Sequence, residues 1–230
     1  MVTNPYFLRA RLFPTVLTSI PLLILVNKVI ELYLFEPLKS VFEVLPLITG
    51  LGLSAALLFL SIQTNRLIAK EVFQKFYFKE EIKMPTTNHL LWKDTFFDKS
   101  IKHVIRLKVQ SKYSILLMDE NEEIQHEDAS RKQIATAVSQ IRNSLRDNKL
   151  LFQHNIEYGF FRNLVGGALL AVLWSLLITL LGYLQHQPNL VMSGIILFVI
   201  YLIPILISKI LINRFGSYYS KILYEQFLTL

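Results

Sequence analysis

Few side chains in this 230-residue chain have the types and spacings that chemistry requires. The five histidines, His89, His103, His126, His154 and His186, show no metal-ligand spacing such as a four-residue pair on one helix, and neither a glycine-rich phosphate loop nor a serine elbow occurs. Cysteine is absent, which removes disulfides, thiolate metal sites and thiol catalysis. Asp94 and Asp98 lie four apart at an expected helix start. Two carboxylates so placed can act as acid and base, but helix capping by Asp94 is the ordinary use. The acidic run Asp119, Glu120, Glu122, Glu123, Glu127 and Asp128 offers oxygen ligands for a hard cation without the spacing of a calcium loop, and it reads as a solvated face. No catalytic, metal or cofactor site is therefore expected.

Two polar groupings remain. Asn27, Lys28 and Glu31 sit within an apolar run, with Lys28 and Glu31 on neighbouring positions of one helix face. Intramembrane charges commonly face a bundle interior or a water path, and near a span end they reach for the interface instead. Asn155, Tyr158, Arg162 and Asn163 recur at three- and four-residue steps and would line one helix face at a membrane surface. That face has donors for a phosphate and a ring for a base, which suits a nucleotide signal or a lipid headgroup; the plainer reading makes the asparagines caps and Arg162 a lipid contact.

The elements that must carry these residues follow from hydropathy. The chain is 53% hydrophobic, and the excess is concentrated in runs at 14–35, 41–63, 164–184 and 190–212. A span needs roughly 20 apolar residues. The expected fold is an all-α membrane protein: two transmembrane helical hairpins, four spans in all, flanking a mainly helical cytosolic domain at 64–163 that opens with a stalk at 64–83. Residues 1–63 supply the lead-in and first hairpin, 164–212 the second, and 213–230 a cytosolic tail. The first run carries Asn27, Lys28 and Glu31 and is followed by Glu36-Pro37 instead of a small-residue cleavage site, so it is expected to stay as a span. Arg9, Arg11, Arg66, Lys70, Arg162, Lys209, Arg214 and Lys221 flank the runs, whereas the two turns hold only Lys39. That asymmetry places both termini and residues 64–163 in the cytoplasm of a cell (inner) membrane. The net charge of +7 is then explained by lipid-anchoring basic residues, Arg9, Arg11, Arg66, Lys70 and Arg214, with no direct nucleic-acid binding. Small residues at Gly50, Gly52, Ser54, Ala55, Ala56 and Gly166-Gly167-Ala168 suit close helix packing, within the chain or in a homo-oligomer.

Within the middle block, Met84-Pro85 ends the stalk. A helix is predicted from about Thr95 to Ser111 with Phe97, Ile101, Val104, Ile105 and Leu107 on one side, and 113–118 reads as strand or helix. A second amphipathic helix is predicted from Ala129 to about Asp147, striped by Ile134, Ala137, Val138, Ile141 and Leu145.

Arg9-Ala10-Arg11-Leu12 with Pro14, Pro85-Thr86-Thr87 followed by Leu90 and Asp94, the helix end from Arg142 to Asp147, and Asn155 with Tyr158-Gly159-Phe160 and Arg162-Asn163-Leu164 together resemble a widespread family of small bacterial membrane proteins. The resemblance covers the chain from its first arginines to the start of the third span. It implies the two-hairpin plan and no settled activity. The chain departs from the family pattern at Phe161, where a basic residue is expected, which weakens any anion site built on adjacent arginines there. The architecture leads to the expectation of an integral membrane effector of a bacterial defence or stress system, its cytosolic domain sensing a ligand or partner and its spans oligomerising into a pore or perturbing the membrane. A non-catalytic membrane anchor or regulator of a soluble partner is the alternative, and small-solute transport a third class.

Overall fold

Apolar periodicity without β-branched alternation favours helix throughout, and in the computed structural model, which describes residues 4–34, 46–78 and 81–230, every regular element is helical. Helix α1 (Phe13–Val29) is preceded by a π-helical segment, Phe7–Leu12, and followed by another, Ile30–Leu34. Helix α2 (Pro46–Ile68) continues through a third π segment, Ala69–Gln74, into the single turn α3 (Lys75–Phe78). Then come α4 (Pro85–Asn88), α5 (Lys99–Tyr113), α6 (Glu120–Gln125), α7 (Glu127–Ser144), α8 (Lys149–Leu184), α9 (Pro188–Leu206) and α10 (Ser208–Thr229). The first expected turn, with Glu36, Pro37 and Lys39, lies outside the described residues.

Three helical stretches among the described residues are long and apolar enough to cross a membrane: Phe7–Leu32, Lys149–Leu184 and Pro188–Leu206. Helix α8 joins the third predicted run to the residues ahead of it without a break, and its 36 residues extend about 54 Å. The turn after it is tight. His186 adopts a left-handed conformation (φ 53°), the Gln187 N–H reaches back to the Gly182 carbonyl (2.8 Å), and Pro188 opens α9, where its missing N–H costs nothing.

The chain divides into two compact units, residues 1–73 with 159–209 and residues 74–158 with 210–230. We refer to them as the apolar unit and the helical unit. The core of the helical unit gathers Leu90 and Leu91, Ile105 and Val109 of α5, Ile134, Ala137, Val138 and Ile141 of α7, Leu151 of α8, and Leu223, Tyr224 and Phe227 of α10. Residues 213–230, read from the sequence as a tail, are thus helical as far as Thr229 and supply Leu223, Tyr224 and Phe227, all fully buried, to this core.

Several local expectations shift. Met84 is extended (ψ 157°) and Pro85 starts α4, as the proline rule requires. Helix α5 begins at Lys99, four residues later than predicted, because the Asp94 carboxylate bonds the Phe96 N–H (2.8 Å) and forms a local turn. Its register also differs: Lys102, Ile105, Arg106 and Val109 face inward, while Ile101, Val104 and Leu107 are exposed. Residues 114–119 are neither strand nor helix, since Ser114 caps α5 in a left-handed conformation (φ 56°). Helix α7 runs from Glu127 and spends its predicted apolar stripe on the core.

Candidate functional site

In the apolar unit the buried face of α1 is Pro14, Thr15, Thr18, Ser19 and Pro21, with Phe13, Val16, Leu17 and Ile20 turned outward. Each proline lacks the N–H that would bond a carbonyl one turn earlier: Pro21 leaves Leu17 without its donor, and Pro14, which follows a π segment whose Phe13 N–H still bonds the Leu8 carbonyl, interrupts the ladder at Arg9 and Ala10. A carbonyl unsatisfied in hydrocarbon costs several kcal/mol. The Ala10 and Leu17 carbonyls are both served by another helix. Asn163 of α8 donates through Nδ2 to the Ala10 carbonyl at 2.6 Å, and the Tyr201 hydroxyl of α9 donates to the Leu17 carbonyl. The two prolines therefore create acceptors, and one polar residue on each of two later helices reads them.

Asn65 of α2 completes the seam by donating to Thr15 Oγ1 (3.2 Å) and Thr18 Oγ1 (3.0 Å). Glycine lets the backbones meet there. A Cβ on Gly166 would lie 2.8 Å from the Ala69 nitrogen and Cβ, and one on Gly167 would lie 2.9 Å from Asn65 Cγ, closer than real Cβ contacts. The expected small-residue face of α8 is therefore used inside the chain. Gly52 of α2, by contrast, has nothing within 4 Å among the described residues.

At the entry to α1, Ala10 of the Arg9–Leu12 motif meets Gly159 and Asn163 of the Tyr158–Leu164 motif. Ala10 is fully buried, and a Cβ on Gly159 would lie 3.0 Å from both Ala10 Cβ and the Tyr6 hydroxyl. The Arg11 guanidinium sits over the Tyr6 ring, 5.3 Å from its centroid. Of the predicted face, Asn163 is buried and turned onto Ala10. Arg162 is half-buried beside it in sequence. Tyr158 is buried within the helical unit, where a Cβ on Gly216 would lie 3.6 Å from its ring, and Asn155 is half-buried. Lys28 Nζ bonds Glu31 Oε2 at 2.7 Å, with the Glu31 side chain 58% exposed, and Asn27 is exposed. Arg66 and Lys70 are exposed; Arg214 donates from Nε to the Tyr218 hydroxyl at 2.9 Å.

The helical unit holds a second polar cluster that sequence reasoning missed. Lys102, fully buried, donates to the carbonyls of Leu91 (2.6 Å), Trp92 (3.4 Å) and Asp94, and burial pulls its pKa below the ordinary lysine value. Arg106 bonds the Met118 carbonyl (2.6 Å), the Leu90 carbonyl (2.8 Å) and Glu123 Oε2 (2.9 Å), and stacks on Trp92 with its guanidinium carbon 4.4 Å from the ring centroid. Glu123 in turn accepts from the Trp92 N–H (2.6 Å) and Ser130 (3.1 Å). These bonds tie residues 90–94 to α5, α6 and α7. The rest of the acidic run is paired outward, Glu120 with Lys99 (2.7 Å) and Glu127 with Lys93 (2.5 Å) and Arg131 (2.8 Å). Hydrogen bonds from Lys93 and Arg131 hold the Glu127 pKa below the usual carboxylate range.

The Pro85-Thr86-Thr87 motif is equally built in. The Tyr224 hydroxyl donates to the Thr86 carbonyl, and Ser220 Oγ donates to the Pro85 carbonyl at 3.3 Å. Because that hydroxyl is donating, it accepts from His89 Nδ1 (2.9 Å), which leaves Nε2 as the acceptor facing Ser217 Oγ at 3.5 Å. A serine and an imidazole in this order are how a nucleophile meets its base. Here, however, burial pushes the His89 pKa down to about 4, and Phe96 stacks on the ring at 3.8 Å. Such an imidazole is a weak proton acceptor and a good structural wedge. Among the described residues no group of three His, Asp or Glu side chains is placed to hold a metal ion.

Comparison of the chain with protein-family models, with curated proteins and with solved structures gave no match in any of the three.

Proposed function

We propose that the protein is a multi-pass membrane effector without catalytic activity, in which the helical unit senses a ligand or partner in the cytoplasm and the spans respond by assembling and perturbing the bilayer of a bacterial inner membrane. In this reading α2 is the fourth span, both termini are cytoplasmic, and the setting is defence or stress. The observation that supports it is the composition of the helical unit's core. Leu151 of α8 and Leu223, Tyr224 and Phe227 of α10 pack in it, and α8 continues into an apolar span while α10 follows one. The chain passes between units at 73–74, 158–159 and 209–210, and each of these bonds lies inside a helix. A ligand that rearranges this core acts on α8 and α10, the helices that help to build it.

The test is ion flux and oligomeric state of the purified full chain in liposomes. Flux from an assembled species, lost in Lys28→Leu or Glu31→Leu, supports the effector. A monomer that passes no ions and brings down a soluble protein instead supports the second reading, a membrane anchor or regulator. One observation favours that alternative: α5 exposes Ile101, Val104 and Leu107, the last two at 52% and 51%, on a face the core does not use.

A further inference from the structure

Ala10, the residue fixed by Gly159 and Asn163, is flanked by Arg9 and Arg11. The α8 turn that fixes it, 159–163, carries Arg162. Two contacts, one at each end of this turn, therefore set the backbone that carries Arg9 and Arg11 against the α8 turn that carries Arg162. Tyr6 adds a ring under Arg11 and a hydroxyl against Gly159. Charge at this place is mostly of one sign: residues 1–30 and 158–224 contain no Asp or Glu, and Glu157, just ahead of the turn, lies 3.3 Å from His154 Nδ1. Arg66 and Lys70, near the end of α2, add to the excess, with Glu71 beside them. Guanidinium groups take phosphate oxygens in a two-bond fork, and an aromatic ring at headgroup depth is the usual companion at a membrane surface.

We propose that Arg11 and Arg162, assisted by Tyr6, form a binding site for the phosphate group of an anionic lipid. The site lies at the entry to α1, where the Asn163 bond closes on Ala10, so an occupied site staples the start of α1 to α8. It rests on this geometry and not on the effector reading; a chain that passes no ions still has it.

The experiment is native mass spectrometry of the full-length protein in detergent, incubated with phosphatidylglycerol or with phosphatidylcholine. The expected result is retained phosphatidylglycerol, reduced fivefold or more by Arg162→Gln and by Arg11→Gln, about twofold by Arg162→Lys, which keeps the charge and loses the fork, and less than twofold by Arg66→Gln. Thermal unfolding of each variant in detergent separates loss of the site from loss of the fold, and Arg162→Lys carries the comparison if Arg162→Gln does not fold. Inorganic phosphate that leaves the lipid bound assigns the site to the bilayer; inorganic phosphate that displaces it assigns the same arginines to a soluble phosphate-bearing ligand. Retention unchanged in Arg162→Gln, or lowered equally by Arg66→Gln, overturns the proposal, since the lipid would then sit in a diffuse basic collar.

Discussion

Helix α1 of the apolar unit buries two prolines, two threonines and a serine and shows its large apolar side chains to the outside, whereas α7 of the helical unit, beyond Ser130 and Arg131 in its first turns, buries Ile134, Ala137, Val138 and Ile141 and shows Lys132, Gln140 and Arg142. The first arrangement suits a solvent that competes for apolar contact and offers no hydrogen bonds; the second suits water. In the apolar unit specificity comes from where backbones can touch and from which carbonyls need a donor. In the helical unit it comes from packing volume plus one buried charge network. The contrast extends to proline: Pro85, like Pro188, starts a helix where no donor was needed, while Pro21 inside α1 leaves the Leu17 carbonyl to the Tyr201 hydroxyl, and the Ala10 carbonyl just ahead of α1 accepts from Asn163.

The strongest way to break this comparison is at the charge network. Arg106→Ala leaves Glu123 buried beside Trp92 and should destabilise the helical unit by about 3–5 kcal/mol in chemical denaturation, while the paired change Arg106→Met with Glu123→Leu should recover only part of that loss, because the Leu90 and Met118 carbonyls and the Trp92 N–H then lack their partners. Full recovery in the pair change would show that these backbone groups find water instead. Next in size is the response to acid. His89 is held neutral in the fold with its pKa about 4, so the unfolded chain binds the proton first as pH falls below the ordinary histidine value. Stability present above pH 6.5 should therefore fall by on the order of 3 kcal/mol as pH drops toward 4, and His89→Gln should flatten that slope.

For the apolar unit, Gly166→Ala should cost about 2 kcal/mol or more, because the Ala69 backbone cannot retreat as a flexible side chain would. A thermal melt in detergent that matches wild type would show that the helices separate there. A finer and smaller effect sharpens the proline argument. Tyr201→Phe should cost about 1 kcal/mol, and the same change made in a Pro21→Ala background should cost nearly nothing, since the alanine supplies the N–H to the Leu17 carbonyl. Equal costs in both backgrounds would mean that the Tyr201 hydroxyl is not serving the proline's acceptor.

The sequence made the helical class, three of the apolar spans and the proline-led break at Pro85 legible, because length, hydropathy and the missing N–H act locally. The small-residue face of Gly166 and Gly167 was equally open to reading, though not the Asn65 and Thr18 partners it meets. The inward turn of Lys102 and Arg106 was not legible: apolar periodicity assigned Ile101, Val104 and Leu107 to the core, and only the cluster of carbonyls at Leu90–Asp94 reverses that choice. Asn163 was found as a polar residue on a surface face and is instead a buried donor. Counting the carbonyls one turn before each proline would have pointed to a need for it, without saying which helix answers.

The helical unit is assembled from two stretches separated by residues 159–209, and the later stretch contributes Leu223, Tyr224 and Phe227. During synthesis its first 85 residues, 74–158, are made before residues 159–209 and the two apolar helices they carry, and keep a hydrophobic gap on one side until residues 210–230 follow. Closure of that gap is then a built-in check that the chain has been completed past both apolar helices, and a chain stalled between them would present an unfinished surface to proteases and chaperones.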